Sequence, residues 1–265
     1  VRAEALLPGV PFAAIPAVVA AADLVLVTVP DDALPQLIAG MAETETIRPG
    51  QIVVHASGRY GVAVLQPAAE LGAIPLALHP AMTLTGTSVD LQRLDGCPFA
   101  VTAPEAARPI AEALVVEMGG EPIWVPEEAR ARYHAALSHG ANHLVTLIAD
   151  AIEVLQSAGV ADPARLLAPL LSASLDNVLR TGDGALTGPV SRGDAGTVAA
   201  HLDTLADVDP AILLGYQAMA RRTADRALAA GRLSAADAES LLTLLADRYG
   251  PQSGGPSTGP EQEGT

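Results

Sequence analysis

The sequence predicts an α/β domain with a mostly parallel sheet, followed by an all-α domain. Over residues 1–126, five apolar runs of strand length alternate with helical patterns, which is the order that βαβ units produce. From residue 127 to about 249 the strands stop, while apolar residues recur at intervals of three and four. A chain of 265 residues is long enough for two such domains.

The five predicted strands are rich in Val, Leu, Ile and Ala, as strands covered on both faces require. They lie within residues 23–30, 51–58, 74–80, 97–103 and 121–126. An Ala/Val-rich helix is predicted before the first strand, and further helices over residues 60–72 and 104–118. After the first strand, Asp31 and Asp32 are placed to cap a helix that runs through Ala42.

The composition changes near Pro126, and we place the domain boundary there, giving domains 1–126 and 127–249. The helices predicted in the second domain span residues 127–158, 162–181, 195–206, 209–230 and 234–249. Residues 250–265 consist mainly of Gly, Ser, Pro, Glu and Gln without apolar anchors, so we expect a disordered tail.

Polar groups follow three of the predicted strands, where an open parallel sheet binds its ligands. These groups belong to Val29-Pro30-Asp31, His55-Ala-Ser57-Gly58 and His79-Pro80. Pro30 and Gly58 turn the chain, so the backbone can approach a flat ligand closely. The alternative for Val29–Asp31 is a strand stop plus a helix cap. The imidazole of His79 titrates near neutrality, which favours a role in proton transfer.

The first predicted helix of the second domain has an unusual polar content for a core helix. Ser138 and Asn142 stand four apart and share a face, with His139 and His143 beside them. Buried polar groups are costly unless they are paired, so either a site or a set of satisfied core residues is possible. His139 and His143 lack a third ligand at metal-binding spacing, and we predict no metal site.

A late irregular loop, Leu186 to Asp194, contains two glycines and Arg192. The guanidinium of Arg192 could bind a substrate carboxylate or phosphate, and Asp194 stands beside it. The alternative is an Arg–Asp pair that fixes the loop, with Asp194 capping the helix that carries His201.

Charge and composition exclude several classes of function. The net charge is −15 with no basic tract, which argues against nucleic-acid and membrane partners. No lysine occurs, so Schiff-base chemistry and a phosphate-loop lysine are excluded. The single cysteine, Cys97, is expected to be a small buried hydrophobe. Without a transmembrane or signal-peptide pattern, we expect a cytoplasmic protein.

Taken together, these motifs resemble a known family. Val-Pro-Asp-Asp, His-Ala-Ser-Gly, Leu-His-Pro, Tyr-His-Ala-Ala and Thr-Gly-Pro-Val-Ser-Arg-Gly-Asp occur in this order. The order is similar to that in Rossmann-like proteins with a C-terminal domain of unknown function 2520. The resemblance covers nearly all of residues 5–245 and implies an NADP-binding domain joined to a helical domain. Such helical domains are similar to those of ketopantoate reductase, pyrroline-carboxylate reductase and the 6-phosphogluconate dehydrogenase superfamily.

The resemblance implies roles for individual residues. Val29, Pro30, Asp31, Ser57 and Gly58 match positions that line the dinucleotide. Ser138 and Asn142 resemble the Lys-x-x-x-Asn pair of hydroxyacid dehydrogenases, with serine in the place of lysine. A carbonyl reduction needs a proton donor, which here leaves His79, His139, His143 or Tyr133.

A second departure from the family concerns the start of the chain. Related proteins open with a strand and a Gly-x-Gly-x-x-Gly turn that binds the pyrophosphate, and no such motif occurs here. We therefore expect the Rossmann-like domain to be N-terminally incomplete by about one βαβ unit, on the order of 30 residues or more.

These observations predict an NADP-dependent oxidoreductase that reduces a small anionic 2-oxo or imino acid. His79, Ser138, Asn142 and His143 are the predicted catalytic residues, and Arg192 and Asp194 are predicted to bind substrate. A homodimer is expected, because helical second domains of this kind often pair. The alternative is a module that binds a dinucleotide or metabolite without turning it over, which the absence of lysine favours.

Overall fold

The structure, a computed structural model, describes residues 7–247. The chain divides into two compact units, the first ending at Leu144 and the second beginning at Val145. The domain boundary at Pro126 stays a prediction, and the tail 250–265 lies outside the described residues.

The first unit is built on one five-stranded sheet. Its strands are β1 (Leu24–Val27), β2 (Ile52–His55), β3 (Ile74–Pro80), β4 (Pro98–Thr102) and β5 (Glu121–Trp124), and their spatial order equals their chain order. β1, β2 and β3 pair in parallel, and so do β4 and β5, while β3 and β4 are antiparallel. The predicted mostly parallel sheet is confirmed. β1, β2 and β3 direct their carboxyl ends to one edge of the sheet, and β4 and β5 direct theirs to the opposite edge.

Six α-helices accompany this sheet among the residues described for the first unit. They are α1 (Ile15–Ala21), α2 (Leu34–Glu43), α3 (Gln66–Glu70), α4 (Val89–Leu94), α5 (Arg108–Glu117) and α6 (Arg130–Leu137). Short 3-10 turns at Val62–Leu65, Glu105–Ala107 and Glu127–Ala129 lead into α3, α5 and α6.

Successive side chains of a strand point to opposite faces of its sheet, and two apolar clusters separate accordingly. Val53 of β2 packs with α1, α2 and α3 residues such as Val19 and Ile38, whereas Val54 packs with Leu76, Phe99 and the α5 residue Val115. Cys97 belongs to the second cluster and is buried, as predicted.

The second unit is helical throughout its described part. A π-helical segment, Ser138–Asn142, leads into α7 (His143–Ser157), which crosses the unit boundary. Then follow α8 (Pro163–Thr181), a 3-10 turn (Gly182–Ala185), α9 (Gly188–Ser191), α10 (Ala195–Ala206), α11 (Pro210–Ala229) and α12 (Ala235–Asp247). Val198, Leu202, Ala224 and Leu241 are central to the core formed by α9 to α12.

Helices α7 and α8 take little part in this core. No residue of α7 is buried, and in α8 only Pro163 and Leu167 are buried. Among the residues described, no helix combines the length and hydropathy needed to cross a lipid bilayer.

Two local expectations prove wrong. Asp31 and Asp32 do not cap α2, because the chain makes a further turn and the helix begins at Leu34, with Ala33 in the cap position. The helix predicted over residues 127–158 is not one α-helix. It begins as a 3-10 turn and widens into the π-helical segment around Gly140. Gly140 has no side chain that would favour the regular α-helical conformation.

Candidate functional site

The carboxyl ends of β1 and β2 place two of the predicted segments side by side. Val27 is paired with His55 in the parallel register, so Val29-Pro30-Asp31 and Ser57-Gly58 both emerge at this edge. Val29 is 36% exposed although it ends an apolar run. This edge therefore offers an apolar side chain and turning backbone to a ligand.

The turn after β2 is organised by buried polar groups. The Ser57 amide donates to Nδ1 of His55, so the proton of that imidazole is on Nε2, which donates to the Gly61 carbonyl at 2.8 Å. Burial lowers the pKa of His55, in agreement with a neutral ring. The Ser57 hydroxyl accepts hydrogen bonds from the amides of Arg59 and Tyr60. His55 and Ser57 thus hold Gly58 in a fixed turn.

His79, at the end of β3, is the centre of the most chemically distinctive group in the first unit. Its Nδ1 lies 2.8 Å from the hydroxyl of Tyr133 in α6, and the two rings meet edge to face. The ring of His134 approaches from the same helix. A Cβ on residue 58 would lie 2.9 Å from both His79 Nε2 and His134 Cδ2. Only glycine fits there without moving these rings.

The pKa of His79 is lowered to about 4, mainly by burial and secondly by the charge of Arg130. His79 is therefore neutral at physiological pH. Burial also raises the pKa of Tyr133, so its phenol keeps its proton. The result is a hydrogen-bonded pair of neutral groups, each able to donate or accept one proton.

Arg130 is a buried component of the site that the sequence analysis missed. Its side chain is 1% exposed, and it donates to the carbonyls of Ala77 and Ala100 at 2.8 and 3.0 Å and to the Thr102 hydroxyl at 2.7 Å. A longer bond of 3.5 Å reaches the Ser57 carbonyl. In the sequence Arg130 stands among charged residues and cannot be distinguished from an exposed arginine.

Glu127 is a second contributor that sequence reasoning missed. Its carboxylate accepts hydrogen bonds from the amides of Val62 and Ala63, at 2.6 and 3.2 Å. It thereby caps the 3-10 turn that begins after Gly61. Together, Glu127 and Arg130 fix the segment before α6 against the strand ends, which positions Tyr133 beside His79.

The predicted residues Ser138, Asn142 and His143 lie in and directly after the π segment. Ser138 is half-buried, Asn142 and His143 are exposed, and the Ser138 and Asn142 side chains have no hydrogen-bond partner within residues 7–247. The structure therefore does not join them to the His79–Tyr133 pair by any such bond. π segments inside helices occur frequently at functional sites.

His139 and His143 contact each other rather than a larger cluster. Their Nδ1 atoms are 3.2 Å apart on the exposed side of the helix. In the part of the chain that the structure describes, no group of three or more His, Cys, Asp or Glu side chains is arranged to hold a metal ion.

Arg192 and Asp194 lie in the second unit, in the loop between α9 and α10. Asp194 caps α10, because its carboxylate accepts from both the amide and the hydroxyl of Thr197. These bonds are the main reason that the pKa of Asp194 is lowered. The predicted cap is confirmed, while the substrate-binding role of Asp194 stays a prediction. Arg192 is exposed and lines a cavity.

Two protein-family models match the chain. Residues 1–80 match the Rossmann-like domain, and residues 97–223 match the domain of unknown function 2520. No protein of curated function matches.

Many solved structures share the fold, among them the following three. The protein BF3122 from Bacteroides fragilis, described as a candidate NADP oxidoreductase, is 24% identical with a TM-score of 0.63, covering 77% of this chain and 76% of its own. An imine reductase from Streptomyces aurantiacus is 21% identical with a TM-score of 0.57, covering 92% and 87%. An imine reductase from Myxococcus stipitatus, in complex with NADP+, is 16% identical with a TM-score of 0.57, covering 86% and 81%.

The Rossmann-like match covers β1, β2 and β3, and the match to the domain of unknown function 2520 covers β4, β5 and the helices that follow, as far as α11. The chain is therefore a Rossmann-like protein that carries the domain of unknown function 2520.

Proposed function

We propose that this protein is an NADP-dependent oxidoreductase that reduces a small 2-oxo or imino acid. The observation that carries the proposal is the hydrogen-bonded His79–Tyr133 pair, which lies at the edge formed by the carboxyl ends of β1, β2 and β3. Ligands of open parallel sheets bind at such an edge. The names of the structural neighbours, which include imine reductases, support the same class of reaction.

The residues at this edge fit a nicotinamide dinucleotide. The segment Val29-Pro30-Asp31 follows β1, and the side chain of Val29 is exposed. The fixed turn at Ser57 and Gly58 lies beside this segment. The rings of His79 and His134 fill the space that a side chain at residue 58 would take, so a dinucleotide at this edge would lie against these rings and the Val29-Pro30-Asp31 segment. When bound there, NADPH supplies the hydride.

His79 and Tyr133 would supply the proton. With the proton of the neutral imidazole on Nδ1, His79 donates to the Tyr133 oxygen, and the phenolic O–H is then free to donate to a substrate oxygen or nitrogen. The phenolate left behind would keep its hydrogen bond from His79. Arg130, whose guanidinium carbon lies 6.0 Å from the Tyr133 ring centroid, would stabilise this negative charge.

The other predicted residues keep supporting roles in the proposal. Ser138 and Asn142 in the π segment and His143 directly after it would contact the substrate. Arg192, in the second unit, stays a predicted carboxylate-binding residue.

A homodimer is part of the same proposal. Helix α8 carries exposed apolar side chains around most of its circumference, at Leu166, Leu170, Leu175, Val178 and Leu179. Its remaining side carries polar residues such as Arg165 and Asp176, and the apolar face of such an amphipathic helix is normally buried. A second copy of the chain would cover α8, as symmetric oligomers commonly do.

The test is a fluorescence titration with NADPH and, in parallel, NADH, followed by turnover assays with 2-oxo acids and cyclic imines. We expect Tyr133→Phe to lower kcat roughly 10²- to 10⁴-fold through loss of the proton donor, with little change in NADPH affinity.

The matched control is Tyr216→Phe. In the second unit, the hydroxyl of Tyr216 lies 2.9 Å from Nδ1 of His201, and the two rings meet edge to face, as in the His79–Tyr133 pair. This control should leave kcat nearly unchanged. Equal losses in the two variants would reject Tyr133 as the donor. NADPH binding without turnover of any substrate would instead favour the non-catalytic binding module.

A further inference from the structure

The second unit contains a cavity of about 360 Å³ that is rich in hydrogen-bond donors. It is lined by Leu186, Thr187, Ser191, Arg192 and Arg232. Arg192 follows α9, and Arg232 lies between α11 and α12. The two guanidinium groups come from distant parts of the sequence, and only the fold places them on one cavity.

The packing of Gly193 explains how these two segments meet. A Cβ at residue 193 would lie 2.6 Å from the Cβ of Asp237 and 3.2 Å from Cδ1 of Leu233. The φ of Gly193 is +77°, a left-handed conformation that favours glycine. The loop that carries Arg192 is thus packed closely against the chain that follows Arg232.

Three of the four polar side chains that line this cavity take part in no ion pair or helix cap within the described residues. Neither Arg192 nor Arg232 forms an ion pair with another residue in the range 7–247. Thr187 occupies the cap position of α9, but its hydroxyl makes no cap hydrogen bond. Ser191 is buried and donates to the Gly188 carbonyl, which leaves its oxygen able to accept.

Acidic side chains nearby are already engaged. Asp194 accepts both hydrogen bonds of Thr197, and Asp237 accepts from the Ser234 hydroxyl. Asp183 forms an ion pair with Arg226. Both arginines are exposed, and the charge of Arg192 contributes to the lowered pKa of Asp194. The cavity therefore presents two solvated guanidinium groups in a chain of net charge −15, and neither forms a close ion pair within the described residues.

We infer that this cavity binds a small dianion, either a phosphoryl group or a dicarboxylate, through Arg192, Arg232 and Thr187. Guanidinium groups bind both kinds of oxyanion through paired N–H donors. Arg232 is the residue that distinguishes this site from the single carboxylate contact proposed for Arg192.

The inference does not depend on the proposed function, because every residue that lines the cavity belongs to the second unit. Anion binding itself does not depend on reduction and can be measured without NADPH.

The experiment is isothermal titration of the full chain at low ionic strength with inorganic phosphate, succinate and acetate. We expect phosphate or succinate to bind more tightly than acetate. Arg232→Gln and Arg192→Gln should each weaken that binding at least tenfold.

Arg222→Gln is the control, because it removes the same charge as the two test variants. Arg222 is exposed in α11 and does not line this cavity. It should change the affinity less than twofold. The inference is overturned if wild type binds none of the anions at millimolar concentration, or if Arg232→Gln behaves like Arg222→Gln.

Turnover separates this inference from the proposed function. Anion binding that depends on Arg232, in a protein that reduces no 2-oxo or imino acid, would leave the site intact and reject the reductase. Turnover of a 2-oxo or imino acid by a protein that binds none of the three anions would do the reverse.

Discussion

Gly58 allows two histidines and a strand end to meet. Replacing it with alanine would place a Cβ 2.9 Å from the rings of His79 and His134. We expect Gly58→Ala to lower the free energy of unfolding by about 1–3 kcal/mol, the usual cost of overpacking. It should also displace His79 from Tyr133 and reduce turnover. Urea denaturation and steady-state kinetics measure the two effects.

Gly40 provides the control. It lies in α2 with nothing within 4 Å of the position of an added Cβ. Gly40→Ala should therefore stabilise the protein, by about 0.5–1 kcal/mol, through the higher helix propensity of alanine. If both variants changed stability alike, close packing at Gly58 would not be the reason for its glycine.

The neutral state of His79 makes stability depend on pH. Its pKa is about 4 in the folded protein and near 6.5 in an unfolded chain. Between these pH values the unfolded chain binds more protons than the folded protein. The contribution of His79 to stability is therefore complete above pH 6.5 and is lost as the pH falls toward 4. Allowing for solvent screening of a half-buried ring, the loss is roughly 2 kcal/mol.

Chemical denaturation at several pH values tests this prediction. His79→Asn should be less stable than wild type at pH 7 but should lose less stability on acidification. A ring NMR titration of His79 in wild type should have its midpoint near the folded pKa. An unchanged pH slope in His79→Asn would show that other groups cause the acid sensitivity, with the buried His55 the first alternative.

At the scale of elements, apolar patterning was sufficient to predict the sheet. All five strands were predicted within a few residues, because each is a short apolar run bounded by turn residues. The cap of α10 at Asp194 was equally readable, since its chemistry is local. The antiparallel direction of β4 could not be predicted, because the direction of a strand depends on the path of the connecting chain and not on the apolar run that forms the strand.

The π segment shows a different limit of sequence reasoning. Ser138 and Asn142 were correctly placed on a helical element, but 3.6-residue periodicity gives no sign of a locally wider turn. Arg130 and Glu127 were missed for a related reason. Their partners are backbone groups of distant strands and turns, which carry no sequence signal.

At the scale of the whole molecule, the exposed helix α8 predicts the oligomeric state. Light scattering coupled to size-exclusion chromatography should give the mass of a dimer for wild type. The double variant Leu170→Glu with Leu179→Glu should be a monomer, because it places charges on side chains that are 60% and 77% exposed in the single chain.

Leu91→Glu is the matched control for this measurement. Leu91 is 70% exposed but lies in α4 of the first unit. It should leave the dimer intact. A monomeric wild type, or dissociation caused equally by Leu91→Glu, would contradict an α8 interface.

The position of Arg130 has a consequence for how the protein unfolds. Its guanidinium is bound to β3 and β4 and to the turn after β2. The first turn of α6 cannot open on its own without leaving a buried charge and several backbone carbonyls unsatisfied. Amide hydrogens there should therefore exchange only when the sheet itself opens. The cooperative folding unit that contains the sheet extends at least to residue 130, into the helical part of the sequence.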